Sequence, residues 1–170
     1  MKIGLILLGI VVLVGGGIWV WRGAGEAESV VVPSVEPEVE SIQLFYYSSE
    51  RDKDATGNVL CSRQGLVAVT RTVPVASATP EGAVGLLLTG GLTAEERAAG
   101  LSTEYPLSGV TLQSTTLNNG VLTLVLSDPE NKTSGGACRA GVLWYQIEAT
   151  AKQFAGVSEV RFMPEFLFQP

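Results

Sequence analysis

Ser134 to Met163, SGGACRAGVLWYQIEATAKQFAGVSEVRFM, constrains the fold more than any other stretch. At 3.6 residues per turn, Ala137, Ala140, Leu143, Trp144, Ile147, Ala151 and Phe154 share one stripe of a helix, about 120° wide. Arg139, Gln146, Thr150 and Gln153 fall on the other side. Glu148 and Lys152 form an i,i+4 pair in the favourable order. Gly156 suits a left-handed C-terminal cap, and Val160 and Phe162 then alternate with Glu159 and Arg161 as a returning strand. A helix with one apolar stripe needs a surface to bury it, and a sheet is the usual one.

The remaining chain supplies that sheet. Ile42 to Tyr47 and Leu66 to Val73 read as strands, the second ended by Pro74. Thr79 is an N-cap, Pro80 suits the first helical position, and Glu81 suits the positive end of the helix dipole. The apolar helix that follows stops at Gly90-Gly91. Thr93-Ala94-Glu95-Glu96 is a capping-box pattern that opens one or two further turns before Gly100. Val110 to Ser127 holds two β-prone runs around Asn119-Gly120, the dipeptide that favours a type I′ hairpin. Leu122, Leu124 and Leu126 lie on one face of its second strand, directed at the helices. Phe166, Leu167 and Phe168 are apolar enough to pack back on the domain. The expected fold is therefore α+β: a small mixed β-sheet in the order β-β-α-β-β-α-β, with two helices packed on one face.

The N-terminal region has a different character. Ile3 to Trp21 carries no charge and would span about 28 Å as a helix, close to bilayer thickness. Lys2 precedes it, while Arg22 and then acidic residues follow, and Trp19 and Trp21 sit at an interfacial position. We read residues 1–22 as an uncleaved transmembrane anchor, N-terminus inside and C-terminal domain outside. A cleaved signal peptide is the rival, but the apolar run is long and no clean cleavage pattern follows it. Residues 23–40, which hold Glu26, Glu28, Glu36, Glu38 and Glu40 together with Pro33 and Pro37, read as an acidic linker. The folded domain is placed at 41–170.

Chemistry is sparse. The formal net charge is −6 with no basic cluster, which argues against nucleic acid as a partner. The chain has no histidine, the commonest general base and zinc ligand. Asp52 and Asp54 lack the spacing of a calcium loop. There is no phosphate-binding glycine loop, no S-x-x-K pattern and no pair of glutamates forced onto one helix face. We expect no catalytic residue, no cofactor and no metal, and hence no enzyme. Asn131-Lys132-Thr133 matches a glycosylation pattern too short to carry weight. Cys61 precedes the second strand and Cys138 lies in the first turn of the long helix, off its apolar stripe. In an oxidising compartment the two most simply form one disulfide. The alternative is a thiol activated by the helix N-terminus.

Several stretches resemble the GerMN domain, the sporulation and spore germination domain family. Cys61-Ser62 followed by Val67 to Pro74 is similar to its C…V-x-R-x-V-P stretch. Leu86-Leu87-Leu88-Thr89-Gly90 and Thr93 to Thr103 are similar to its L-L-x-G-P-T-x-x-E pattern, with Gly91 where proline is usual. Gly136-Ala137-Cys138-Arg139 resembles G-S-C-R, and Gln146-Ile147 with Lys152-Gln153-Phe154 resembles Q-I…L-K-Q-F. The resemblance runs from Ile42 to Pro170. Met163-Pro164-Glu165 departs from the family's aspartate-glycine turn, and Leu126-Ser127-Asp128 stands where V-D-F is common. The resemblance implies an extracytoplasmic, non-catalytic interaction module of a bacterial cell envelope. Its partner would be an envelope protein or peptidoglycan, and self-assembly into a homo-oligomer fits such a module. A peptidoglycan- or small-ligand-binding sensor, or an accessory to a cell-wall hydrolase, is the alternative.

Overall fold

A computed structural model describes residues 37–169. The proposed anchor at 1–22 and most of the proposed linker lie outside the described residues. Among those described, no helix is long and apolar enough to cross a membrane. Strand β1 spans Val39–Tyr47 and thus takes in the last two residues assigned to the linker. It is followed by β2 (Leu66–Pro74), α1 (Pro80–Leu88), α2 (Ala94–Ala98), β3 (Thr111–Asn118), β4 (Val121–Ser127), α3 (Ala137–Lys152) and β5 (Glu159–Met163).

Among the described residues the fold is α+β, with two sheets and three α-helices in place of the one sheet and two helices expected. β1 and β2 form an antiparallel ribbon, with Leu44 opposite Val69. β3, β4 and β5 form a separate mixed sheet, antiparallel between β3 and β4 and parallel between β4 and β5. The order is β-β-α-α-β-β-α-β, because the capping box at Thr93 opens a helix of its own.

The sheets stay separate because side chains occupy the second edge of β1. Gln153 Oε1 accepts from the Gln43 N–H, and Gln153 Nε2 donates to the Gln43 carbonyl, both at 2.6 Å. Two residues along, the Phe45 N–H donates to Thr150 Oγ1 at 3.1 Å. A further two along, Tyr47 exchanges backbone hydrogen bonds with Ser102. The alternating outward N–H groups of β1 are thereby satisfied without a neighbouring strand.

This arrangement corrects the reading of α3. Gln146 and Thr150, placed on the side away from the apolar stripe, are wholly buried, whereas Ala137 at the start of that stripe is exposed. The helix is covered on two sides, by β1 along Gln146, Thr150 and Gln153 and by the β4–β5 side along its apolar stripe. α1 and α3 pack on each other; α1 reaches β1 and β3, and α3 reaches β1 and β5. Ile42, Leu44 and Tyr46 from β1, Leu122, Leu124 and Leu126 from β4, and Leu143 and Ile147 from α3 form one core.

The local signals behave as their chemistry predicts. Asn119 and Gly120 both have positive φ, 48° and 84°, as a type I′ turn requires. The Thr79 hydroxyl accepts from the Gly82 N–H, and Thr93 and Glu96 form a reciprocal capping box. The exception is Gly156, expected to cap α3: the helix ends at Lys152 with Gln153 as its cap, and Gly156 lies in the turn to β5 with φ of 87°. Leu167 and Phe168 fold back while Phe166 stays exposed. Phe168 meets Phe162 at 4.7 Å between ring centroids, and Phe162 meets Trp144 at 4.6 Å, tying the C-terminal segment to β5 and α3.

Candidate functional site

The densest constellation of polar chemistry runs along α3, where the loop between β1 and β2 is fastened to it. Cys61 and Cys138 are joined by a disulfide, closing 77 residues of chain. Arg63 adds a second fastening: its guanidinium lies 4.1 Å from the Tyr145 ring centroid and donates to Glu148 at 2.5 and 3.0 Å. Glu148 also takes Lys152 at 2.8 Å, the i,i+4 pair expected from spacing.

In the same loop, Asp52 is buried and accepts three hydrogen bonds. They come from the Tyr47 hydroxyl at 2.5 Å, the Ser62 N–H at 2.6 Å and the Ser62 hydroxyl at 2.5 Å. Burial alone would raise the Asp52 carboxyl, but these donors outweigh it and hold its pKa below the ordinary value. Burial, and then the Asp52 carboxylate, push the Tyr47 phenol up to about 12. Asp54 serves its own loop, accepting from Thr56 and Asn58, which lowers its pKa to about 2. Both aspartates that could suggest a cation are thus spent on the loop. Among the described residues no group of three or more His, Cys, Asp or Glu side chains could hold a metal ion. Thr133 of the glycosylation pattern is wholly buried, its hydroxyl donating to Asp128.

Beside this network lies a cleft of ≈410 Å³ between α3 and the segment around Ser102–Glu104. Tyr47, Cys138, Val142, Leu143 and Gln146 form much of its lining. Arg139 stands at its mouth, donating to Glu104 at 2.6 Å and to the carbonyls of Lys132 and Ser134. Gln146 was not anticipated here. The signal was present in the i, i+4, i+7 spacing of Gln146, Thr150 and Gln153, a second polar stripe beside the apolar one. Its meaning depends on where β1 lies.

The stretches that carried the resemblance also meet in space. Arg71 on β2 grips Glu96 in α2 through two parallel hydrogen bonds of 2.7 Å and reaches the Gly91 carbonyl at 2.9 Å. Hydrogen bonding from Arg71 holds the Glu96 pKa below its usual value. V-x-R-x-V-P is thereby joined to T-x-x-E, the two cysteine stretches to each other, and the Lys152-Gln153-Phe154 stretch to the edge of β1.

Fold and cleft together define a disulfide-fastened α+β domain whose polar side chains chiefly position the chain. It belongs to the family described as Germane, sporulation and spore germination, whose model matches residues 44–165. Among solved structures the fold is similar to the tandem GerMN domains of the sporulation protein GerM from Bacillus subtilis. The TM-score is 0.52 at 15% sequence identity, over 81% of this chain and 43% of that one. The chain therefore spans less than half the length of that tandem structure. No curated protein matches the sequence.

Proposed function

We propose that this protein is a non-catalytic interaction module of a bacterial cell envelope, held at the cytoplasmic membrane by residues 1–22 with its C-terminal domain outside. One observation carries the reading: the residues through which the chain resembles its family are spent on holding the fold. Arg71 and Glu96 bind each other, Cys61 and Cys138 are bonded, and Gln153 closes the edge of β1. A side chain committed in this way is not poised to exchange protons or attack a substrate. The disulfide favours an oxidising compartment, in keeping with the outward placement of the domain.

The partner we favour is an envelope protein. In vivo crosslinking of membranes carrying the tagged full-length chain tests this, followed by purification and mass spectrometry. Reproducible recovery of the same envelope protein supports the reading. Retention on isolated peptidoglycan, with no protein recovered, overturns it in favour of a wall-binding role.

A further inference from the structure

Strand β5 ends the second sheet, and its outer edge is open where that of β1 is closed. The Glu159 N–H donates to the Gly120 carbonyl at 3.1 Å, so Glu159, Arg161 and Met163 turn their backbone groups toward β4. Alternate residues turn theirs the other way, and the N–H and C=O groups of Val160 and Phe162 therefore face outward. Among the described residues no further strand lies there. No side chain takes its place either, as Gln153 and Thr150 do at β1. β3, at the opposite edge of the sheet, breaks register with β4 around Gln113, a device that blunts an edge against further pairing. β5 keeps its register throughout Glu159–Met163.

A cleft of ≈370 Å³ lies along this edge, between β5, α3 and the C-terminal segment. Val160 and Phe162 both line it, although their side chains are buried in the core. On the inner side of the edge stands Trp144, half-buried, with its ring 4.6 Å from that of Phe162. On the outer side Glu159, Arg161 and Met163 are exposed. Three carboxylates line the cleft, those of Glu148, Glu159 and Glu165, against the guanidinium of Arg161. Glu148 is matched by Arg63 and Lys152, and Glu159 holds Arg161 at 2.6 Å. Glu165 has no ion-pair partner among the described residues. The charge left unmatched is negative, and it favours a cationic occupant.

An open strand edge, an aromatic ring on one side of it and unmatched negative charge describe a site for strand addition. We propose that the free edge of β5 takes up an extended segment of a protein partner in which cationic and apolar residues alternate. Its backbone pairs with Val160 and Phe162, its apolar side chains cover Trp144, and its cations meet the acidic side chains of the cleft. This rests on the reading of the chain as a module that binds an envelope protein, and it names the chemistry of the segment bound.

The test titrates the full-length, ¹⁵N-labelled chain in neutral detergent micelles with acetyl-Lys-Val-Lys-Val-Lys-Val-amide. Two further peptides carry N-methyl groups on all lysines or on all valines, and a fourth has glutamate in place of lysine. Hydrogen exchange at the Val160 and Phe162 amides should slow on binding. A docked strand directs alternate N–H groups at its neighbour. One N-methylated peptide should therefore bind about tenfold more weakly than the parent, and the other as the parent does. The glutamate peptide should also bind about tenfold more weakly. Glu165→Lys, at an exposed position, should weaken the lysine peptide about fivefold and strengthen the glutamate peptide. Unchanged exchange at Val160 and Phe162, equal effects of the two methylated sets, or equal binding of lysine and glutamate peptides each overturn the proposal. Protection of those two amides on concentrating the chain alone would place a second copy at the edge, and overturns it too. If crosslinking recovers an envelope protein while the peptides fail, the envelope reading stands and its contact lies elsewhere. If no envelope protein is recovered, that reading fails whatever the peptides do.

Discussion

Arg71 and Glu96 show what a single pair does in this domain. Both side chains are largely withdrawn from solvent, and the two parallel hydrogen bonds between them tie α2 to the β1–β2 ribbon. Arg71→Lys keeps the charge but loses the two-pronged geometry and the Gly91 contact; urea denaturation should show a loss of about 1–3 kcal/mol. Glu96→Gln should lose a comparable amount, and the double variant less than the two combined, because the residues share one interaction. Asp52 and Tyr47 govern the response to pH. The Asp52 pKa is lower in the folded state, so its contribution is present above about pH 4, the unfolded value, and disappears as pH falls through the folded one. The Tyr47 pKa is raised to about 12, so its contribution is present below the unfolded value and fades as pH rises toward that figure. Melting temperatures across pH should therefore show a plateau from about pH 4 to pH 10. Tyr47→Phe should lower the plateau and flatten part of the alkaline limb, with Tyr46 and Tyr105, also raised by burial, supplying the remainder.

At the scale of elements, α3 does the work that a third strand would do for β1. Gln153→Ala would leave the Gln43 N–H and carbonyl without their partners at a part-buried edge. Hydrogen exchange at Gln43 should accelerate, and stability should fall by about 1–3 kcal/mol. Thr150→Val, which keeps the shape and removes the acceptor, should expose the Phe45 amide in the same way. The disulfide holds the start of the helix to the β1–β2 loop. Cys138→Ser should cost about 4 kcal/mol against the oxidised protein, given the length of chain the bond closes, and nothing against the reduced protein. Equal loss under both conditions would mean that the cysteine matters through packing. Gly65 illustrates a tighter fit at the same junction: a Cβ there would sit 2.4 Å from a Tyr47 ring carbon, so Gly65→Ala should displace the ring and weaken the Asp52 network.

For the whole molecule, placement outside the cytoplasm is the assumption on which the disulfide and the partner class depend. A C-terminal alkaline phosphatase fusion to the full chain should be active, and the corresponding green fluorescent protein fusion dark. The chain should also stay with membranes through carbonate extraction, as expected of an uncleaved anchor at residues 1–22. An inactive phosphatase fusion would reverse the orientation and remove the reason to seek an extracellular partner.

Features that rest on near neighbours in the chain were legible in the residues alone. The type I′ turn at Asn119-Gly120, the caps at Thr79 and Thr93, the leucine face of β4 and the length of α3 each depend on atoms a few positions away. The two cysteines could be paired because there were only two. Burial of Gln146 and Thr150 could not be read in the same way. Their helical spacing was plain, but polar side chains on the far side of an apolar stripe ordinarily face water. Here they face the edge of a strand 110 positions earlier in the chain, where Gln153 meets Gln43. That encounter divides the strands into two sheets and buries a second side of α3, Gln146 included. Local sequence set which elements form. Only their packing decided which polar groups would be enclosed together, because satisfying buried hydrogen bonds is a property of the assembled structure.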